Sequence, residues 1–315
     1  MKHVIIDLCD NGGGYLRPAT EISNKFLRKG DMIVYTDSSK HGSTKFEAEK
    51  DGDFLNGRVV LMVNQYSASA SEILSGAVQD NDRGVIVGRR TFGKGLVQRP
   101  FPFPDGSMIR LTVSRYHTPS GRCIQKPYTP GEDEDYRMDM VKRYESGELN
   151  SADSIAFSDS LLYNTIRLKR PVYGGGGIMP DRFVPLDTTF FTPYYRDLVA
   201  KGSINKYALD YVDSHRNQLK KKYKTEDAFV QKFEITPDMI DGLIETGKKD
   251  GVEFNQEQFD TSRDYLLAII KGLIGRDLFE QATYYRIVNP YNTIFTSAVE
   301  IISDPVKYRS YLSPA

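Results

Sequence analysis

Two segments carry residue types that can do chemistry together. Ser67-Ala68-Ser69-Ala70-Ser71-Glu72-Ile73 puts serines and small residues at the start of an apolar stretch. Thr91-Phe92-Gly93-Lys94-Gly95-Leu96-Val97-Gln98 places a lysine between two glycines. A serine hydroxyl is a poor nucleophile at neutral pH and needs a base beside it. A lysine serves if burial lowers its pKa from about 10.4 to about 7–8, a shift of about 4 kcal/mol that desolvation in a closed pocket can supply. Serine with lysine is a variant of the acyl-transfer constellation, so the pair predicts a Ser–Lys hydrolase.

Each motif also has a plainer reading. Ser69 and Glu72 have capping-box spacing, and a serine before a helix is most often an N-cap. Ser67 or Ser71 could satisfy the first-turn amides and free one hydroxyl. A helix amino terminus after a parallel strand also presents N–H groups where an oxyanion would form, the amide of Ala70 first among them. Gly12-Gly13-Gly14 follows another strand and reads either as a tight turn needing φ > 0 or as a second donor aimed at the same oxyanion. It lacks the G-x-G-x-x-G spacing of a dinucleotide loop. Gly88 to Lys94 matches the G-x-x-x-x-G-K of a phosphate loop, but Gly95 replaces the magnesium-holding Ser or Thr. Pro100, Pro102 and Pro104 also forbid the helix such a loop requires. Without the serine, Lys94 would read as a solvated loop residue. His3, His41, His117 and His215 sit in no motif with a serine or an acid, so a Ser-His-Asp triad is less economical than Ser-Lys.

The elements that must position these residues follow from periodicity. Val4 to Leu8 reads as a buried strand, followed by the glycine turn. A helical stripe follows in Ile22, Phe26 and Leu27, ended by Gly30. Next come strand Met32 to Tyr35, a polar loop through Asp53, and the strongest buried strand, Val59 to Val63. The helix from Ala70 carries Ile73, Leu74, Ala77 and Val78 on one face, and Val85 to Val87 is a further strand. This β-α-β rhythm predicts an α/β fold with a mainly parallel sheet. Ile109, Leu111 and Val113 alternate with polar residues as a half-buried strand ending at Thr118-Pro119-Ser120-Gly121. Residues 129–172 are polar and charge-rich, with helical potential near Met138 to Tyr144, and read as an insertion in a core spanning 1–185. The charges at 132–135 read as a solvated loop. From 186 to 315 the pattern is helical only. Thr236-Pro237 forms an N-cap followed by proline, and stripes run through Tyr265, Leu266, Ile269, Ile270 and Leu273, and through Ile294, Phe295, Ala298, Val299 and Ile302.

Composition narrows the class. The 315 residues balance 42 Lys+Arg against 42 Asp+Glu, which argues against a nucleic-acid binder. Cys9 and Cys123 have no metal spacing and read as two buried thiols, with a single disulfide as the alternative. The most apolar run, Leu266 to Ile274, is broken by Lys271 and Gly272 and is too short to span a membrane. No cofactor or metal is expected. A strand opening directly at the amino terminus, with no targeting segment before it, reads as the downstream part of something longer.

In order along residues 3 to about 187, the chain resembles the C-terminal processing peptidases, or tail-specific proteases. The matching motifs are Val4-Ile5-Ile6-Asp7-Leu8-Cys9-Asp10-Asn11-Gly12-Gly13-Gly14, the serine and lysine segments, Gln79-Asp80, Thr118-Pro119-Ser120-Gly121-Arg122 and Gly177-Ile178-Met179-Pro180-Asp181. The resemblance implies a crotonase/ClpP-like α/β core with a C-terminal all-helical domain, cutting proteins near their carboxyl termini. The family's nucleophile, the middle serine of its S-A-S-A-S-E run, falls on Ser69, and its general base on Lys94. Gln98 would orient the amine, and Asp80 would support the site. The amide of Ala70 and one from Gly13 or Gly14 would form the oxyanion hole. Cys9 and Gly12 stand where the family usually has arginine and proline. The insertion and helical tail resemble a Bacteroidetes-like branch. The family's leader, amino-terminal helical segment, PDZ domain and first core strand would lie upstream of Met1. The expected partners are protein or peptide substrates with apolar carboxyl termini, and a homo-oligomer could form through the helical domain. The full-length parent would sit in the periplasm or cell envelope. The alternative is a catalytically silent fragment acting as a scaffold. Intact Ser69, Lys94 and Gln98 favour the peptidase; the abrupt start favours the fragment.

Overall fold

The computed structural model describes residues 1–38, 42–129, 131 and 133–314, so His41 and Glu132 lie outside the described residues. In chain order it runs β1 (His3–Asp7), α1 (Leu16–Asn24), β2 (Met32–Ser38), β3 (Gly42–Glu47), β4 (Arg58–Val63), α2 (Ala70–Asp80) and β5 (Val85–Gly88). Then follow β6 (Leu96–Pro102), β7 (Met108–His117), α3 (Asp133–Glu145), β8 (Leu162–Asn164), β9 (Pro171–Tyr173) and β10 (Arg182–Phe183). The remainder is helical: α4 (Pro193–Ala200), α5 (Ser203–Lys222), α6 (Glu226–Lys232), α7 (Pro237–Lys249), α8 (Gln256–Leu278), α9 (Gln281–Val288), α10 (Thr293–Ser303) and α11 (Pro305–Ser310). The chain forms two units, Met1–Leu186 with Ser297–Ala315, and Asp187–Thr296.

The first unit is mixed α/β. β1, β4, β5 and β10 lie in that order in one sheet with every pairing parallel. Val59 to Val63 of β4 are fully buried, as a strand covered on both faces must be. The expected parallel sheet is therefore present, but it is only half of the β structure. A second, antiparallel sheet has the order β3-β2-β7-β6. β3 occupies the stretch read as a polar loop. It is an edge strand with mostly exposed residues, so no apolar alternation marks it. β6 carries Pro100 and Pro102 and forms the opposite edge, where a missing N–H costs no ladder bond. The apolar alternation of β7 does not bury its outer half: Ile109 and Leu111 are 42% and 45% exposed. In α1 the expected stripe also fails. Ile22 is exposed, and the buried Phe26 and Leu27 lie beyond the last helical residue, in the turn that follows.

The expected insertion at 129–172 is tied into the core. Asp133 opens α3, so the acidic run begins a helix. Arg143 on α3 pairs with Glu148 at 2.6 Å and donates to the carbonyls of Arg90 and Thr91, while Glu148 also pairs with Arg90 at 2.6 Å. Farther along, Arg170 pairs with Asp82 at 2.8 Å and Asp181 at 2.6 Å. Cys9 and Cys123 are half-buried free thiols.

In the second unit the α8 stripe is buried as its spacing predicts, with Leu266 and Ile270 fully inside. Thr236 is the N-cap of α7 with proline in its first turn, although its side chain makes no capping bond. The end of the chain departs from a single helical stretch over 186–315, because residues 297–315 group with the first unit. Tyr308 supplies a physical reason: its buried hydroxyl donates to Val59 O and accepts from Val59 N–H, each at 3.1 Å. No helix among the described residues is long and apolar enough to cross a membrane.

The last turn of α2 is held by a fully buried ion pair. Asp80 Oδ1 meets Arg122 Nη2 at 2.6 Å, with both side chains inaccessible. Asp80 Oδ2 accepts the N–H of Ser120, and Arg122 also donates to Gln79 Oε1 and Tyr173 O. Removing one charge strands the other in a dry site. We expect Asp80→Asn to lower the unfolding free energy of the first unit by about 3 kcal/mol or more. Urea titration followed by circular dichroism checks this, and a loss under about 1 kcal/mol would contradict the assignment.

Candidate active site

Three neighbouring parallel strands deliver the three expected loops to one place. β1, β4 and β5 are adjacent and point the same way, so the glycine turn, the serine turn and the lysine loop all leave the same edge of the sheet. Ligands of open parallel sheets bind at this carboxyl edge.

The glycine and serine turns are stitched together. Ser67 Oγ accepts Asn64 N–H at 2.9 Å and donates to Leu8 O at 2.6 Å. Ser71 Oγ and the Ala68 N–H both donate to Asn11 O at 3.0 Å. Ser67 and Ser71 are buried and committed to main-chain bonds, whereas Ser69 is half-buried. Ser69 also sits at φ 57°, ψ −114°, a costly conformation for a residue with a Cβ. Gly13, at φ 89°, backs directly onto this turn. A Cβ there would stand 2.5 Å from Ala68 O and 2.6 Å from Ala70 N, so only glycine fits.

One carboxylate joins the serine turn to the lysine loop. Glu72, on the first turn of α2, is completely buried. Its Oε2 accepts the N–H of Ser69 at 2.8 Å and of Lys94 at 2.9 Å. Its Oε1 accepts the N–H of Gly93 at 2.7 Å and the hydroxyl of Thr91. Burial pushes the Glu72 carboxyl above the ordinary value, against the pull of the Thr91, Lys94, Gly93 and Ser69 bonds. The same bonds dispose of the phosphate-loop alternative. The N–H groups of Gly93 and Lys94 already face a carboxylate, that of Gly95 is taken by Gln125 Oε1, and the chain continues as β6 where such a loop needs a helix.

The remaining expected residues are placed as follows. Ala70 begins α2, and its N–H makes no hydrogen bond among the described residues. The N–H of Gly13 is taken by Asn11 Oδ1 at 2.9 Å, while that of Gly14 has no partner among the described residues. Lys94 is half-buried, and its ammonium makes no ion pair among the described residues. Gln98 lies exposed on β6, just past a register shift, and no hydrogen bond joins it to Lys94. Asp80 ends α2, at the opposite end of that helix from Ser69, and belongs to the Arg122 ion pair. The three described histidines bond locally, His3 with Arg58, His117 with Gly121 O and His215 with Tyr211 O. Burial, then Asp7, pushes the Cys9 thiol far up, leaving it a poor nucleophile.

Two groups of residues had no signal in the sequence. Tyr116 on β7 places its hydroxyl between the carbonyls of Ser69, at 3.0 Å, and Lys94. Arg143 and Glu148 brace the main chain at Arg90 and Thr91, just before the lysine. Tyr116 is one aromatic residue in a strand, and the arginine and glutamate read as solvated charge. Only the contacts reveal them.

Comparison with known proteins agrees with the motifs. Residues 1–137 match Peptidase family S41, and residues 194–280 match a family of unknown function (DUF8443). The first stretch is thus similar to S41 peptidases, and the resemblance to C-terminal processing peptidases holds there. The chain is 39% identical over 126 residues to a carboxy-terminal-processing protease of Bartonella bacilliformis, covering 40% of this chain and 29% of the relative. It is 44% identical over 123 residues to a carboxyl-terminal-processing protease of Synechocystis, covering 39% and 28%. The solved photosystem II D1 C-terminal processing protease aligns at 36% identity with a TM-score of 0.37, covering 40% of this chain and 32% of that one. The chain therefore spans less than a third of the length of these relatives.

Glu72 works as an acceptor only, so Glu72→Gln turns an NH₂ group toward main-chain donors. We expect a loss of about 2–3 kcal/mol. The difference between wild type and variant should also depend on pH. A carboxyl whose folded pKa is raised contributes stability fully below its unfolded value, 4.5, and loses it as pH climbs through the folded value. The advantage of wild type should therefore shrink as pH rises from about 4.5. Urea midpoints of both proteins across pH 4–8 test the sign; an advantage that grows with pH would show the carboxyl to be lowered.

Proposed function

We propose that this chain carries the catalytic centre of a serine-type endopeptidase of the C-terminal processing kind, with Ser69 as nucleophile and Lys94 as general base. One observation carries the reading. Ser69 and Lys94, 25 positions apart, bring their main chains to the same oxygen of one buried carboxylate, while the flanking serines are committed elsewhere. Ser69 Oγ attacks the scissile carbonyl as its proton passes to Lys94 Nζ. The tetrahedral oxyanion takes the N–H groups of Ala70 and Gly14, both without other partners among the described residues. Of the two glycines, Gly14 is the better donor because Asn11 occupies the N–H of Gly13. Collapse breaks the C–N bond, the departing amine takes the proton from lysine, and water hydrolyses the acyl-serine by the reverse path. Gln98, four residues after the lysine, would orient the amine once substrate is bound. Asp80 supports the fold of α2.

The substrates would be proteins or peptides cut near apolar carboxyl termini, and an envelope location belongs to the same reading. A silent scaffold is less well supported, since the main-chain bonds of Ser69 and Lys94 to Glu72 need no lysine side chain. The test is cleavage of a protein bearing an apolar carboxyl terminus, together with labelling by a serine-reactive fluorophosphonate. Ser69→Ala should abolish both. Lys94→Arg should lower the rate by about 10³-fold or more, because arginine keeps the charge but does not give up its proton. Appreciable cleavage by Lys94→Arg would rule out lysine as the base.

A further inference from the structure

We propose that Tyr116 is a positioning residue for Ser69 and Lys94, acting through its hydroxyl opposite Glu72 in a two-sided clamp on the main chain. The proposal rests on the reading of Ser69 as nucleophile and Lys94 as base, and it adds what fixes their relative geometry. Residue 69 gives its N–H to Glu72 Oε2 at 2.8 Å and its carbonyl accepts from Tyr116 Oη at 3.0 Å. Residue 94 gives its N–H to the same Oε2 at 2.9 Å and its carbonyl accepts from the same Oη. The phenol has a single proton, so it is shared between the two carbonyls as a three-centre bond, and each residue is held at its N–H by Glu72 and at its carbonyl by that shared proton.

Holding the N–H and C=O of a residue fixes its backbone dihedrals, and with them the direction of its Cα–Cβ bond. Both residues need this. Ser69 is in a conformation that persists only where its surroundings over-determine it. Lys94 lies between Gly93 and Gly95, which impose little conformational preference of their own. Its carbonyl accepts from no other donor among the described residues. Tyr116 holds the next peptide as well, since its own N–H donates to Gly95 O at 2.9 Å. The ring is 2% exposed, so water does not compete for the bridge. Burial, followed by the Glu72 charge, pushes the phenol well above its ordinary range, and the hydroxyl remains a donor throughout neutral pH. Without it the Lys94 carbonyl has no donor among the described residues, although Glu72 and the Phe92 N–H to Ser67 O bond at 3.0 Å still join the two loops.

Tyr116→Phe keeps the ring and deletes the bridge. Tyr308→Phe is the matched control. It removes another buried hydroxyl from the same unit, one bonded to Val59 in the first half of β4, whereas the serine turn follows the end of that strand. The expected result for Tyr116→Phe is a kcat lower by about 10- to 100-fold with KM within about twofold, since a displacement near 1 Å costs this much in rate. Amide hydrogen exchange at Ser69 and at Gly93 to Gly95 should accelerate by about tenfold or more. Tyr308→Phe should lower the melting temperature while leaving kcat and these amides unchanged. Wild-type kcat and wild-type exchange in Tyr116→Phe would overturn the proposal, and so would an equal fall in kcat in both variants. Wild type that fails to cleave, or that still cleaves as Ser69→Ala, overturns the peptidase reading instead. In that event the exchange rates alone judge the clamp.

Discussion

The first unit is organised around one fully buried carboxylate that pairs with no cation among the described residues. Glu72 is surrounded by N–H and O–H donors from two loops, and among the described residues those donors compensate it for leaving water. An unmet donor or acceptor in such a place is costly, so the serine turn and the lysine loop must close on it together. The rest of the architecture serves that closure. Parallel neighbours β1, β4 and β5 bring the loops to one edge, Gly13 lets two of them touch, and the Arg143–Glu148–Arg90 group steadies the third. A capping residue and an active-site residue are usually rival readings of the same serine. Here the two readings are compatible, because the carboxylate that takes the Ser69 N–H also takes that of Lys94.

Much of the parallel half of the fold is legible in the sequence, and for a clear reason. Strands buried on both faces must be continuously apolar, and Val59 to Val63 and Val85 to Val87 announce themselves. In the antiparallel half β2 and β7 are legible, but its two edges are hidden. β3 and β6 are edge strands whose residues face solvent, so no alternation marks them, and prolines in β6 read as breakers when they lie on an unpaired edge. Residues 129–172 look like a solvated insertion because charge is ordinarily solvated. Arg143 and Arg170 instead bond main-chain carbonyls and buried acids.

The candidate site divides in the same way. Ser69 and Lys94 stand out by residue type and glycine context, and Glu72 is visible only as a capping partner. The oxyanion donors could be narrowed to a turn, but the choice between Gly13 and Gly14 depends on an Asn11 side chain whose hydrogen bond no periodicity reveals. Tyr116 is invisible for a different reason. Its role comes from the register of β7 against β2 and β6, a property of strand pairing that leaves no trace in local composition.

The placement of Tyr116 has a consequence for the order in which the molecule is built. Ser69, Glu72 and Lys94 belong to the β-α-β part of the chain, whereas Tyr116 arrives on the antiparallel sheet, held by pairing with strands before and after the lysine. Contacts spanning such separations form late, because the loop between them must first be closed. A chain whose β7 has not yet paired therefore holds its serine and lysine loops together through Glu72 but lacks the Tyr116 bridge. On the proposed reading the centre is complete only when both sheets have docked, and a geometry acquired last would spare the chain's own unfolded segments while they are still exposed.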